Sequence, residues 1–214
     1  MNRDVSDCLI IFTRYPQPGR VKTRLIPKLG EVGAATLHQR MTEHTLGIAA
    51  KARLLMPELE VTLRVEGGTQ SLMRRLYGTE WTFAEQGDGD LGARLNRAAF
   101  DAFAAGHARV AIIGSDCPEL TSHLLQSAFE ALRSVDVVIG PAVDGGYYLI
   151  GMRQSTPALF ERIPWSTGGV LERTIHEARQ LALRVSLLPT LSDVDTPDDL
   201  VVWERVISAR STSM

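Results

Sequence analysis

Short apolar runs of strand length alternate with longer runs of helical periodicity along most of the chain. Two short runs, CLIIFT and RVAIIG, are almost continuously apolar, which is typical of strands buried on both faces of a sheet. The pattern predicts strands at 8–13, 59–65, 81–85, 109–114, 135–140, 147–151 and 183–188. It predicts helices at about 31–54, 69–76, 91–105, 121–133, 157–162, 169–181 and 197–207.

This alternation predicts an α/β fold, in which helices cover both faces of one sheet. The short glycine-rich link between 135–140 and 147–151 permits an antiparallel pair, so we expect a mixed, mostly parallel sheet. We predict one three-layer α/β/α domain over 1–207, followed by a frayed tail at 208–214.

Composition narrows the function classes. The 214 residues are 44% hydrophobic and carry a net charge of −2, so no overall basic field favours nucleic acid as a partner. No apolar run approaches the length of a membrane span, and two scattered cysteines do not form a disulfide framework. We therefore expect a cytoplasmic protein; whether it forms a homodimer is left open.

A basic loop follows the first strand at its carboxyl end. Arg14, Arg20, Lys22 and Arg24 surround a turn at Gly19. Backbone N–H groups of such a turn, together with nearby cations, favour a phosphate ligand. One alternative is a solvated basic surface turn. Another is a kinase P-loop, which the valine immediately before the lysine disfavours.

Acidic residues follow later in the chain. Asp116 lies just past the buried strand 109–114, where a carboxylate can hold Mg²⁺ together with phosphate oxygens. The alternative is a turn residue before a proline. Asp198 and Asp199 fit a helix start, whereas Asp193 and Asp195 precede it and are candidates for a second metal ligand.

Two further loops contain candidate substrate contacts. The first places Asp144 beside Gly145 and Gly146, where a simple turn and an open substrate site are both consistent with the residues. The second places Ser166 and Thr167 before a helix, where they can cap the helix or face an acceptor phosphate. The predicted acceptor-binding residues are Gly145, Gly146, Tyr147, Ser166 and Thr167.

The loop 85–95 is rich in glycine, which suits either a site for a flat base or a flexible connection.

Taken in order, the motifs P-G-x-x-K-T-R-L, S-D-x-P, D-G-G-Y-Y-L-I-G and D-V-D-T-P-D-D-L resemble GT-A-type nucleotide-diphospho-sugar transferases. Within them, the chain is similar to a glycosyltransferase-like bacterial group related to 2-phospho-lactate guanylyltransferase.

The resemblance implies a GT-A-like, nucleotide-binding transferase domain and assigns roles to residues. It implies that Gly19, Lys22 and Arg24 hold a triphosphate, and that Asp116 binds Mg²⁺ or Mn²⁺ with Asp195 and Asp193 nearby. Residues similar to the base-reading positions of sugar-phosphate uridylyltransferases are Gln86 and Gly92. The chain departs from the family pattern in lacking a D-x-D partner beside Asp116 and the G-x-G-T-R form of the first loop.

We therefore predict a metal-dependent transferase that uses an activated nucleotide donor, either a nucleoside triphosphate or an NDP-sugar. The favoured reaction is nucleotidyl transfer to a small phosphorylated acceptor. Lys22 and Asp116 would act on the phosphates, and Asp144 is the candidate base if a sugar is transferred instead. The alternatives are a glycosyltransferase and a nucleotide-binding regulator without turnover.

Overall fold

The computed structural model describes residues 6–211, and all of its named strands belong to one seven-stranded sheet. The strands are β1 (Asp7–Arg14), β2 (Leu59–Glu66), β3 (Thr82–Glu85), β4 (Arg109–Ile113), β5 (Val137–Pro141), β6 (Tyr147–Met152) and β7 (Val185–Leu187). The helices are α1 (Ile26–Leu55), α2 (Gln70–Tyr77), α3 (Leu91–Ala104), α4 (Ser122–Ala131), α5 (Val170–Gln180) and α6 (Leu200–Ser211).

The strand order across the sheet is β3-β2-β1-β4-β6-β5-β7. Strand β6 runs antiparallel to both of its neighbours, β4 and β5, whereas the other pairs are parallel. The predicted mixed, mostly parallel sheet and its antiparallel pair are therefore confirmed.

Helices cover both faces of the sheet because successive side chains of a strand point to opposite sides. In β1, Leu9 and Ile11 pack on the face covered by α1, α2 and α4. Cys8 and Ile10 pack on the other face, against α3 and α5. Both faces of β1 are buried, which explains its continuous apolar run and confirms the three layers.

Three local features differ from the predicted elements. The helix predicted at 157–162 is wrong: only a short 3-10 helix forms at Pro157–Leu159, and Arg162 at φ 56° lies in the left-handed region. Helix α1 starts earlier than predicted and bends at Gly30, whose φ of 69° is non-helical. Residues 208–211 of the predicted tail continue α6, and 212–214 lie outside the described residues.

The topology brings several chain segments to one edge of the sheet. Strands β1, β2, β3 and β4 run in the same direction, so the loops after them meet at their carboxyl ends. Because β6 is antiparallel, the segment before it reaches the same edge. Within the described chain, no helix combines the length and apolar character that a membrane crossing requires.

Candidate functional site

A cleft of about 660 Å³ opens at this edge of the sheet. It brings together most of the residues singled out in the sequence. Those that line it are Arg14, Lys22, Arg24, Gln86, Asp116, Asp144, Gly146, Tyr147, Ser166, Thr167, Asp193 and Asp195. Those that do not line it are Gly19, Arg20, Gly92 and Gly145.

The middle of the cleft contains a lysine held between two carboxylates. Lys22 Nζ donates to Asp195 Oδ1 at 2.6 Å and to Asp116 Oδ2 at 3.3 Å. The Lys22 side chain is only 7% exposed, whereas the two aspartate side chains are 41% and 39% exposed. We call these three residues the lysine–carboxylate centre.

Two distant chain segments meet to form this centre. Asp116 follows β4, and its carbonyl oxygen accepts a hydrogen bond from the Val194 N–H at 2.9 Å. That bond places the next residue, Asp195, beside Asp116. The carboxylate of Asp199 accepts hydrogen bonds from the N–H groups of Asp195 and Thr196, so it fixes the backbone that carries Asp195.

The basic loop buries the Lys22 side chain and leaves its other cations exposed. Gly19 has a φ of 75°, which permits the turn, and Lys22 itself adopts a left-handed φ of 46°. Arg24 lies at the cleft with 70% of its side chain exposed, and its guanidinium is 4.0 Å from Asp195 Oδ2. Arg20 is exposed outside the cleft lining. These three cations of the loop therefore have different surroundings.

Burial and neighbouring charges shift the pKa values of ionisable residues in the cleft. Burial tends to lower the pKa of Lys22, but the neighbouring Asp116 and Asp195 outweigh burial and raise it. Removal from water tends to raise the pKa of Asp116, but the charge and hydrogen bond of Lys22 lower it overall. Burial and then repulsion from Asp144, Asp116 and Asp195 raise the pKa of Asp193 to about 6. The cleft thus holds more negative charge than Lys22 neutralises.

The donor set of the centre fits a divalent cation such as Mg²⁺ or Mn²⁺. Within residues 6–211, no group of three or more His, Cys, Asp or Glu side chains is arranged to hold a metal. Two carboxylates are nevertheless enough for an ion that takes few protein ligands and completes its shell with phosphate oxygens and water. The ammonium of Lys22 shows that a cation is accommodated between Asp116 and Asp195.

A buried polar network lies below the centre, and the sequence reasoning missed it. Ser115 Oγ donates to Thr13 Oγ1 at 3.2 Å, and Thr13 Oγ1 is 3.0 Å from Thr42 Oγ1. His38 Nε2 is 3.1 Å from the Arg14 carbonyl oxygen, and burial lowers the His38 pKa. These bonds tie α1 to the carboxyl ends of β1 and β4, so they fix the floor of the cleft.

One end of the cleft has a carboxylate between two guanidinium groups. Glu66 Oε2 lies 2.7 Å from Arg14 Nε and 3.1 Å from Arg94 Nη1. We call Arg14, Glu66 and Arg94 the arginine–glutamate corner. Glu66 and Arg94 were not among the predicted site residues. Glu66 carries a usable signal, since it follows the predicted strand 59–65 and therefore lies at the edge where ligands bind.

The two residues that the resemblance implies read the base both have structural contacts. Gln86 is 6% exposed, and its Nε2 donates to the Thr13 and Arg64 carbonyl oxygens at 2.9 and 3.1 Å. It therefore ties the ends of β1 and β2 together. Gly92 is buried, and a side chain there would collide with the Phe160 carbonyl and the Trp165 ring.

The other end of the cleft contains the predicted acceptor residues. Asp144 Oδ1 accepts a hydrogen bond from the Gly146 N–H at 2.8 Å, as in the predicted turn. Gly145, at φ 87°, leaves room for the Gly168 backbone, so this turn packs against the start of α5. Helix α5 begins after Gly169 without a side-chain cap; Thr167 Oγ1 donates to the Pro164 carbonyl instead, at 2.7 Å.

Fold and cleft together define a class: an α/β domain of the nucleotide-diphospho-sugar transferase type, with its polar cleft at the carboxyl ends of the strands. Residues 49–167 match the model of a family described as uncharacterized proteins conserved in bacteria, DUF2064. The chain belongs to this family. No curated protein matches the chain.

Solved structures show the same fold. A protein from Desulfovibrio desulfuricans, provisionally named as a nucleotide-diphospho-sugar transferase, is 35% identical with a TM-score of 0.83, over 89% of this chain and 82% of that one. The 4-diphosphocytidyl-2C-methyl-D-erythritol synthase of Anaerococcus prevotii is 11% identical with a TM-score of 0.63, over 95% and 96% of the two chains.

A third structure is a Mycobacterium tuberculosis protein in complex with manganese, 18% identical with a TM-score of 0.54, over 95% of this chain and 98% of that one. The structural neighbours include a nucleotidyltransferase and the nucleotide-diphospho-sugar transferase-like Desulfovibrio protein, as the resemblance implied. The predicted fold and family resemblance are therefore confirmed.

Proposed function

We propose that the protein is a metal-dependent nucleotidyltransferase that transfers a nucleoside monophosphate from a nucleoside triphosphate to a small phosphorylated acceptor. The observation that carries this proposal is the lysine–carboxylate centre. It lies in a cleft at the carboxyl ends of the strands, beside the exposed Arg24 of a basic loop. We further propose that one such domain spans 1–207.

The centre can neutralise phosphate charge in two ways. Asp116 and Asp195 would hold the divalent cation, which supplies electrostatic stabilisation to the phosphates when bound. Lys22, displaced from those carboxylates, carries a positive charge that can pair with a phosphate of the donor. Arg24 is exposed at the same position and adds a second cation.

In the proposed reaction, a phosphate oxygen of the acceptor attacks the α-phosphorus of the donor. A new phosphoanhydride bond forms, the bond between the α- and β-phosphates breaks, and pyrophosphate leaves with the electron pair. The acceptor phosphate is already an anion, so no strong general base is needed. Positioning and charge stabilisation therefore provide most of the catalysis.

We place the acceptor at the far end of the cleft, against Asp144, Tyr147 and the start of α5. The start of α5 is not capped by a side chain; the Leu171 N–H donates to the Gly145 carbonyl, and we propose that an anionic group of the acceptor meets the other N–H groups of this turn. Tyr147 and Trp165 form an edge-to-face pair with centroids 6.3 Å apart, which gives this end an apolar wall. The manganese complex of one structural neighbour supports a divalent cation, and Mg²⁺ is the alternative.

A glycosyltransferase is the second candidate, and one observation favours it. Asp144 is exposed at the acceptor end and is bonded only to the backbone of its own turn among the described residues. A carboxylate in that position suits the base that a hydroxyl acceptor requires. The name of the Desulfovibrio protein points the same way.

A binding panel separates the two candidates. Nucleoside triphosphates and NDP-sugars are compared by calorimetry, each with and without Mg²⁺ or Mn²⁺. Metal-dependent binding of a triphosphate, with pyrophosphate released on addition of phosphorylated acceptors, supports nucleotidyl transfer. Binding restricted to an NDP-sugar supports glycosyl transfer, and tight binding that ignores metal and yields no product supports a regulator.

A further inference from the structure

The arginine–glutamate corner has hydrogen-bonding groups that face the cleft and that the proposed reaction does not use. Arg14 and Glu66 end the paired strands β1 and β2 and stand opposite each other in the parallel register. Arg94 comes from the first turn of α3. All three line the cleft. Strands β1 and β2, which carry Arg14 and Glu66, are separated in the sheet by β4 from β6, the strand that follows Asp144.

The corner is held in place from behind. Arg94 Nε donates to the Gly89 carbonyl at 2.9 Å, and its Nη1 is 3.4 Å from Gln86 Oε1. Gln86 is itself buried and bonded to the backbone of β1 and β2. Because the supporting residues are fixed, the corner presents its polar groups without first having to become ordered.

One carboxylate oxygen of the corner remains directed to solvent. Both arginines contact Glu66 Oε2, and that atom is buried. The Glu66 side chain is nevertheless 37% exposed, so its exposed surface belongs to Oε1 and the aliphatic stem. Arg14 is 54% exposed, so guanidinium N–H groups of the corner also remain open to solvent. The corner therefore offers one acceptor together with donors.

We propose that the arginine–glutamate corner selects a nucleobase that has a ring N–H next to a carbonyl, as guanine and uracil do, over adenine and cytosine. This inference rests on the proposed nucleotide donor. Glu66 Oε1 would accept the ring N–H, and an arginine would donate to the adjacent carbonyl oxygen. In adenine and cytosine that ring nitrogen carries a lone pair, which would face a carboxylate oxygen.

We assign the base to the corner because the other parts of the cleft suit other parts of the substrates. The lysine–carboxylate centre and Arg24 occupy its middle and suit phosphates. At one end, the corner combines a carboxylate acceptor with arginine donors, the kinds of group that pair with the hydrogen-bonding edge of a base. The backbone of Gly89 also lines the cleft there.

Inosine and adenosine triphosphates make the sharpest test, because their bases differ only at positions 1 and 6. The affinities of ITP and ATP are measured by calorimetry in Mg²⁺, with GTP, UTP and CTP as further points. In the unmodified protein we expect ITP to bind at least about tenfold more tightly than ATP, with GTP and UTP above CTP. Equal affinities would overturn the selection while leaving the nucleotide donor standing.

Glu66→Gln then assigns the effect to the corner. The amide can turn either its oxygen or its NH₂ group toward the base, so we expect the ITP/ATP ratio to fall toward one. The matched control is Glu60→Gln on the same strand, whose side chain is 66% exposed and outside the cleft lining. It should keep the ratio of the unmodified protein.

Inorganic triphosphate separates loss of selection from loss of folding. It lacks a base, so its affinity should be the same in Glu66→Gln and the unmodified protein. A Glu66→Gln variant that binds triphosphate and keeps the full ITP/ATP ratio would refute the role of the corner. If no triphosphate binds the unmodified protein, the proposed donor fails and the base selection fails with it.

Discussion

The two charged clusters of the cleft both consist of ion pairs, but they differ in burial and in the ratio of cations to carboxylates. In the lysine–carboxylate centre, Lys22 is almost fully buried and its charge is shared by Asp116 and Asp195. In the arginine–glutamate corner, two cations share one carboxylate, and much of Arg14 remains exposed. The three charged side chains of the centre therefore sum to a net negative charge, and those of the corner sum to a net positive charge.

This difference implies different tasks. A centre whose only cation lies between two carboxylates must rearrange before its lysine can meet a phosphate, and added cations compete with that lysine. A corner that keeps free donors and an acceptor can bind without rearrangement. Variants of the centre should therefore change turnover and metal binding, whereas variants of the corner should change which base is bound.

The largest expected effect comes from Asp116→Asn. The substitution keeps the size of the side chain but removes the charge that would hold the cation. We expect metal-dependent turnover to fall by about 10²–10³-fold, the range seen when a single electrostatic contact to the reacting centre is lost. Initial rates of pyrophosphate release at saturating Mg²⁺ measure this.

The same variant probes the separation of the two clusters. Its ITP/ATP affinity ratio should stay within about twofold of the unmodified protein, because the corner is untouched. A changed ratio would mean that the centre and the corner do not act independently. Full activity of Asp116→Asn would show that Asp116 is not a metal ligand.

Lys22→Met should have the next largest effect: it should raise the affinity for Mn²⁺ and lower the affinity for a nucleoside triphosphate. Without nucleotide, Mn²⁺ should bind about tenfold more tightly, because the buried competing cation is gone and two carboxylates lose their counter-ion. Nucleoside triphosphate should bind about tenfold more weakly, because a phosphate partner is lost. Electron paramagnetic resonance of free Mn²⁺ and calorimetry of the triphosphate give the two values.

The control for Lys22→Met is Lys28→Met, which removes an exposed lysine of α1 outside the cleft lining. Neither affinity should change there. If Lys22 contacted only phosphate and played no part in the free centre, Mn²⁺ affinity would not rise in Lys22→Met.

The two central strands and their burial on both faces of the sheet were predictable from the sequence, because continuous apolar runs such as those of β1 and β4 are typical of such strands. Asp116 was predictable for the same reason, since it follows such a run. That Asp195 lies near Asp116 was implied by the family resemblance and not by the pattern, because it depends on a backbone bond between segments almost eighty residues apart in the chain. Periodicity carries no information on that pairing.

The roles of single polar residues were harder to predict. Four cations in one loop indicate an anion, but only the left-handed turn at Lys22 determines which of them is buried against carboxylates. Gln86 has the residue type that reads a base, and yet its amide bonds to backbone carbonyls. Glu66 directly follows the predicted strand 59–65, and only the contacts of Arg14 and Arg94 with its other oxygen show which oxygen stays exposed.

A smaller effect should distinguish two arginines of the loop. Arg24 lies at the cleft near Asp195, whereas Arg20 is outside the lining. Arg24→Ala should weaken triphosphate binding about fivefold, a modest loss because its exposed side chain is screened by solvent. Arg20→Ala should change the affinity less than twofold in the same calorimetric titration. Equal losses would instead indicate a general basic surface.

The smallest expected effect concerns the residue that supports the centre from behind. Asp199 Oδ2 accepts hydrogen bonds from the Asp195 N–H, the Thr196 N–H and the Thr196 hydroxyl at 3.1, 2.6 and 2.8 Å. Asp199→Asn should lower the free energy of unfolding by about 1 kcal/mol at pH 7, which is typical for loss of such a cap. Equilibrium urea unfolding measures the change.

The pH dependence of that effect has a definite sign. Removal from water tends to raise the pKa of Asp199, but the hydrogen bonds from Thr196 and Asp195 lower it overall. A lowered native pKa stabilises the fold above the ordinary value near 3.8, and this stabilisation is lost as the pH falls through the native value. The difference between the two proteins should therefore shrink below about pH 4. A gap that stayed constant to pH 2.5 would show that packing, and not the charge of Asp199, holds the segment carrying Asp195.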